Sequence, residues 1–107
     1  MSNPPRFYTR FLEQYPEVGA AYQDLGAACK SAGPLEERTA ELVKLGISIG
    51  AGMSGATRSH ARKALAAGAT RDELLHAVLM ATTTIGFPAM MRGMAWVLDV
   101  VDAEDNE

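Results

Sequence analysis

Apolar positions recur with a helical period along nearly the whole chain, and Gly and Pro cut that pattern into six segments. Phe7, Tyr8, Phe11, Leu12 and Tyr15 form one stripe, with Arg6, Arg10, Glu13 and Gln14 elsewhere on the wheel. They predict a short amphipathic helix over 5–15, ending near Pro16. Val18, Ala21, Tyr22, Leu25 and Cys29 carry a second stripe over about 17–31, broken by Gly33-Pro34. Pro34 suits a first helical position, and Glu36 and Glu37 suit the positive end of a helix dipole, so a third helix is predicted over about 35–50. Ser54 is the expected N-cap of a fourth helix that runs through Ala67, with Gly68 just past its end. Thr70-Arg-Asp-Glu73 matches the capping box, and the fifth helix it opens carries Leu74, Leu75, Val78, Leu79, Thr82 and Ile85 before Gly86-Phe87-Pro88. A sixth helix over about 88–101 is apolar almost all round, through Met90, Met91, Met94, Trp96, Val97, Leu98 and Val100. Six helices and no strand predict an all-α fold in a single domain, residues 1–107.

Three expectations follow from this pattern. Gly46 and Gly50, four apart on an otherwise apolar helix, imply close approach by another backbone. The sixth helix has more apolar surface than so small a chain can cover, which implies contact with another copy through that helix. Asp99, Asp102, Glu104, Asp105 and Glu107 follow the last base, Arg92, and read as a solvated acidic tail, residues 102–107.

The chain has 107 residues, 48% of them hydrophobic and 21% charged, within the range of globular domains. Its net charge of −3 supplies no basic face for a phosphate backbone, so nucleic acid is not an expected partner. No apolar run approaches the roughly 20 residues needed to span a bilayer, and the N-terminus lacks the apolar segment of a signal peptide. A soluble, cytoplasmic protein without membrane contact is expected. The single cysteine, Cys29, cannot form an internal disulfide, and its place on the second stripe reads as a small core residue.

The candidate chemistry lies in the third and fourth helices. Glu41 is the only acid between Glu37 and Asp72, and Leu42, Val43, Leu45, Ile47 and Ile49 around it mark a helix meant for burial. If the chain turns back between residues 51 and 54, Glu41 lies about 15 Å from the bend and His60 about 9 Å. That offset is about one helical turn, within reach of a direct or water-mediated hydrogen bond. Such a pair is a proton relay, or a purely structural contact. Glu41 shares its face with Leu45, Ser48 and Gly52, and the small residues at 52, 56 and 64 leave room for helix contact and a ligand.

Among the bases, Arg58 and Arg62 fall on the side of the fourth helix away from His60 and read as a solvated face, while Lys63 is nearer the His60 side. His76 reads as exposed or interfacial, and the methionines at 90, 91 and 94 as adaptable packing. No glycine-rich phosphate loop, metal-ligand spacing or Ser-His-Asp order stands out, so neither cofactor nor metal is expected.

Glu41-Leu-Val, then His60, Ala64-Leu-Ala-Ala-Gly-Ala-Thr70, Asp72-Glu-Leu74 and Gly86-Phe-Pro-Ala89 occur in this order. Over residues 35–98 the chain therefore resembles the carboxymuconolactone decarboxylase and alkylhydroperoxidase D family, with residues 1–33 as added N-terminal helices. The resemblance implies a helical protomer assembled into trimers or hexamers, with sites near subunit contacts. Its peroxidase branch carries Glu-x11-Cys-x2-Cys-x3-His. Here Glu41 and His60 hold the outer positions at full spacing, while Met53 and Ala56 replace the two thiols. Without a thiolate, the dithiol cycle has no nucleophile, so a hydroperoxide reductase is disfavoured. The implied activity is that of a cofactor-free lyase acting on a small organic acid or lactone. Glu41 and His60 are its candidate catalytic pair, and Met53, Ala56 and Lys63 its candidate substrate contacts. The alternative is a noncatalytic small-molecule-binding or scaffold oligomer.

Overall fold

The computed structural model describes residues 5–105, and of 104 and 105 the backbone only. These residues form six helices and no strand, an all-α fold. The chain divides into two compact units at Leu35/Glu36.

The first unit pairs α1 (Arg6–Gln14) with α2 (Pro16–Ser31). Tyr15 makes the corner: its N–H donates to Phe11 O at 2.8 Å and its carbonyl accepts from Gly19 N–H at 2.9 Å. Pro16 then opens α2, where its missing N–H would have had no intrahelical partner. Leu12 of α1 lies over Gly19 so closely that an added Cβ would come within 2.6 Å of Leu12 Cδ2. Gly19 is nevertheless the one buried residue in the two helices. Cys29 is accordingly exposed, against its reading as a core residue, because this pair of helices encloses no interior of its own for the α2 stripe to face.

The second unit holds α3 (Glu37–Gly50), α4 (Ser54–Ala66), α5 (Arg71–Leu79) and α6 (Phe87–Asp105). Leu45 and Ile49 of α3, Ala61 and Ala64 of α4, Leu74 and Val78 of α5, and Met90, Val97, Val100 and Val101 of α6 form its core. The α6 helix meets α3 through Gly93, where an added Cβ would sit 2.8 Å from Ile49 Cγ2. This is the close approach expected at Gly46 and Gly50. At those two positions an added Cβ meets nothing within 4 Å, so the small residue that α3 packing requires lies on the partner helix instead.

Several element ends also differ from expectation. Helix α3 begins at Glu37, after an extended Glu36 (φ −68°, ψ 161°), leaving Pro34 outside it. Met53, not Ser54, holds the N-cap of α4, since Met53 has the extended backbone a cap needs and Ser54 is already helical. Thr70 and Glu73 form the full capping box at the start of α5. That helix stops at Leu79, and residues 80–85 continue as overlapping turns in which Ala81, Thr82 and Thr84 N–H groups bond three residues back. The Thr84 hydroxyl donates to Met80 O at 2.8 Å, a local bond that competes with regular helix, and Gly86 at φ +102° closes the segment.

The acidic C-terminal stretch continues α6 to Asp105. Asp99 pairs with Arg58 and Asp102 with Arg71, each at 2.9 Å, so neither the Asp99–Asp102 turn nor Arg58 is merely solvated. The expected tail also includes Asn106 and Glu107, which lie outside the described residues. No helix among the described residues is long and apolar enough to cross a membrane.

Candidate functional site

Helix α3 places Glu41 on its buried face with Leu45 and Ser48, and the return through Ala51-Gly52-Met53 brings α4 back against that face. Gly52 makes the return possible with φ +71°, a backbone conformation that costs glycine little. Met53 N–H bonds to Ser48 O at 3.0 Å, closing the C-terminus of α3. Glu41 Oε1 then lies 2.8 Å from His60 Nδ1. Spacing left a direct or a bridged contact open, and the contact is direct.

The two partners differ in exposure. The Glu41 side chain is 1% exposed, whereas that of His60 is 20% exposed. A buried carboxylate needs a donor or a positive partner, and imidazole supplies either. With Nδ1–H donated to the carboxylate, Nε2 is the ring nitrogen left to exchange a proton with another molecule.

A second polar link joins the same two helices. Thr57 Oγ1 lies 3.1 Å from Ser48 Oγ and 2.7 Å from Met53 O, and Ser48 Oγ donates to Leu45 O at 2.7 Å. Both hydroxyl residues are buried. Ser48 was legible on the face it shares with Glu41. Thr57, one turn before His60, was the overlooked signal.

Met53 is exposed at the α4 cap, Ala56 is half-buried one turn before His60, and Lys63 is exposed three residues after it. Arg92 is a further base near the bend. Its guanidinium lies over Gly52, donates to Ile49 O at 3.3 Å and stacks 5.4 Å from the Trp96 ring. As the only base in the sixth apolar segment it was the visible clue. Among the described residues no group of three His, Cys, Asp or Glu is arranged to hold a metal ion, and His76 is exposed on α5.

A groove of about 370 Å3 runs between α3 and the α5 end with its following turns, floored by Gly46 and Gly50 and walled by Leu42, Ile47, Met80 and Ile85. Its lining includes none of Glu41, Met53, Ala56, His60 or Lys63.

The profile of the carboxymuconolactone decarboxylase family matches residues 16–99, reaching further toward the N-terminus than the motif string and taking in all of α2. The fold is similar to the crystal structure of an apo carboxymuconolactone decarboxylase family protein from Legionella pneumophila, with a TM-score of 0.75 and 26% identity. That alignment covers 90% of this chain and 85% of the other. No curated protein matches significantly. With the greater part of its length matched, this chain belongs to the carboxymuconolactone decarboxylase family.

Proposed function

We propose that the protein is a cofactor-free lyase that removes carbon dioxide from a small unsaturated lactone or organic acid, with His60 as general acid/base and Glu41 orienting it. The observation that carries this reading is the 2.8 Å contact between Glu41 Oε1 and His60 Nδ1 in a chain with Met53 and Ala56 between them, neither of which can form a thiolate. In the reaction, the bond from the substrate carbon to its carboxylate breaks, carbon dioxide leaves, and the electron pair is delocalised over the unsaturated ring. His60 then delivers a proton from Nε2 to carbon, and solvent restores it. General acid catalysis of this kind contributes on the order of 10²–10⁴ in rate. Met53 and Ala56 would contact the substrate body, and Lys63 would attract its carboxylate. Assembly into a trimer or hexamer through α6 belongs to the same reading.

The apolar groove between α3 and α5 favours a second reading, a noncatalytic oligomer that binds a small apolar molecule while Glu41 and His60 satisfy each other. Incubation with a panel of unsaturated lactone acids, following carbon dioxide release, separates the two. Conversion supports the lyase, and binding without conversion supports the scaffold. Rapid peroxide consumption with a thiol reductant would contradict both.

A further inference from the structure

The geometry points to Ser48 and Thr57 as a pair of positioning residues that hold His60 against Glu41 and fix the Met53 backbone at the bend. This rests on the functional reading above only for its effect on turnover, since the positioning itself is a property of the resting protein. Besides their apolar contact, helices α3 and α4 share two polar links on one face. Ser48 follows Glu41 by seven residues, about 10.5 Å along α3, and Thr57 precedes His60 by three, about 4.5 Å along α4. Apolar contact of Leu45 and Ile49 with Ala61 and Ala64 holds the helices together but is not directional. Two links, at 2.8 Å and 3.1 Å, fix both the slide and the rotation of α4 against α3.

The protons can be followed through this network. Ser48 and Thr57 have one hydroxyl proton each and two acceptors each within reach: Leu45 O and Thr57 Oγ1 for Ser48, Met53 O and Ser48 Oγ for Thr57. Met53 O already accepts from Thr57 N–H at 3.0 Å, and Leu45 O lies within the regular hydrogen bonding of α3. Ser48 can therefore turn its proton to Thr57 Oγ1 while Thr57 keeps its own on Met53 O, without stripping Leu45 O of its only donor. The interhelix bond forms at little expense to the rest of the network.

The same two residues also hold the bend. Ser48 O takes the Met53 N–H, and Thr57 takes the Met53 carbonyl with both its hydroxyl and its N–H. Met53 is thus clamped at N–H and C=O while its side chain stays exposed. The clamp and the link to Ser48 share one hydroxyl, Thr57 Oγ1.

The test compares Thr57→Val, which keeps the β-branched shape and loses the oxygen, with Thr57→Ser, which keeps the oxygen. Ser48→Ala and the Ser48→Ala/Thr57→Val double variant complete the set. The readout is the His60 ring in nitrogen-15 NMR spectra at neutral pH without any substrate. The wild type is expected to show a single Nδ1 signal, that of a ring nitrogen hydrogen-bonded to Glu41. Thr57→Val and Ser48→Ala are expected to shift or broaden that Nδ1 signal as the contact with Glu41 loosens, the double variant no more than either single one, and Thr57→Ser to keep the wild-type spectrum.

Turnover is expected to fall about tenfold to a hundredfold in kcat with KM little changed, the size of effect that a displacement of about 1 Å produces. An unchanged His60 spectrum in folded Thr57→Val and Ser48→Ala overturns the proposal, as does lost thermal stability with that spectrum retained. If Thr57→Val does not fold, Ser48→Ala, which removes one oxygen and no carbon, decides alone. The predicted spectral change in a protein that converts no substrate upholds the positioning role and refutes the lyase.

Discussion

Glu41 is buried, and a carboxylate in that position keeps its charge only beside a group that can donate to it or neutralise it. His60 Nδ1, at 2.8 Å, is such a group. Removing the imidazole should therefore cost more than lost packing: His60→Ala is expected to lower unfolding stability by about 3 kcal/mol, the lower end for a broken buried pair because His60 reaches solvent. Glu41→Gln, which buries no charge, should cost less. Denaturant titration of both variants checks the order, and the reverse order would mean that Glu41 is not held as an ion. Much of this was legible because one acid on an apolar helix and one imidazole on the next segment lie about a turn apart. The Ser48–Thr57 link and the seat of Arg92 were not, because they depend on how the 51–53 bend aims α4 and where α6 crosses the end of α3.

Helix ends and crossings make a different kind of demand, since each depends on a few local groups. Thr70 caps α5 by accepting from Glu73 N–H at 3.1 Å, and Glu73 answers by accepting from Thr70 N–H at 2.8 Å. Thr70→Ala should cost about 1 kcal/mol in thermal or denaturant unfolding. The bond from Thr70 N–H, aided by the charge of Arg38 and opposed by partial burial, holds the Glu73 carboxyl below its ordinary value of 4.5. A group depressed in the folded state contributes stability above its unfolded pKa and loses it as pH falls through the folded value. The stability difference between wild type and Glu73→Gln should thus be full at neutral pH and close progressively below about pH 4.5.

At the α3–α6 crossing, Gly93→Ala drives a methyl into Ile49 and should destabilise by about 1–3 kcal/mol, whereas Ala at Gly46 or Gly50 meets open space. Comparing the three unfolding midpoints tests that contrast. The capping box could be read from four residues because its partners are local. The end of α5 at Leu79 could not, since apolar Ile85 keeps the helical period while the Thr84 hydroxyl and Gly86 redirect the backbone.

For the whole molecule, a protomer of 11.4 kDa leaves Phe87 60% and Met91 48% exposed on α6, and Ile47 66% exposed in the groove wall. Apolar side chains of that size in water favour association. Sedimentation velocity is expected to report a multiple of the protomer mass, and Met91→Glu to reduce it. A wild type that stays monomeric at micromolar concentration would contradict assembly through α6. The motif string from Glu41 to Ala89 was enough to reach the family, but the sequence could not reveal which glycine takes the helix contact or that Cys29 faces solvent, because both follow from how separate helices pack. The central claim, that His60 held by Glu41 moves a proton for a reacting substrate, is tested most directly by the turnover of His60→Gln relative to wild type on a converted lactone acid, with both proteins shown to be folded. The predicted result is a loss of at least about a hundredfold in kcat/KM, and equal turnover would contradict it.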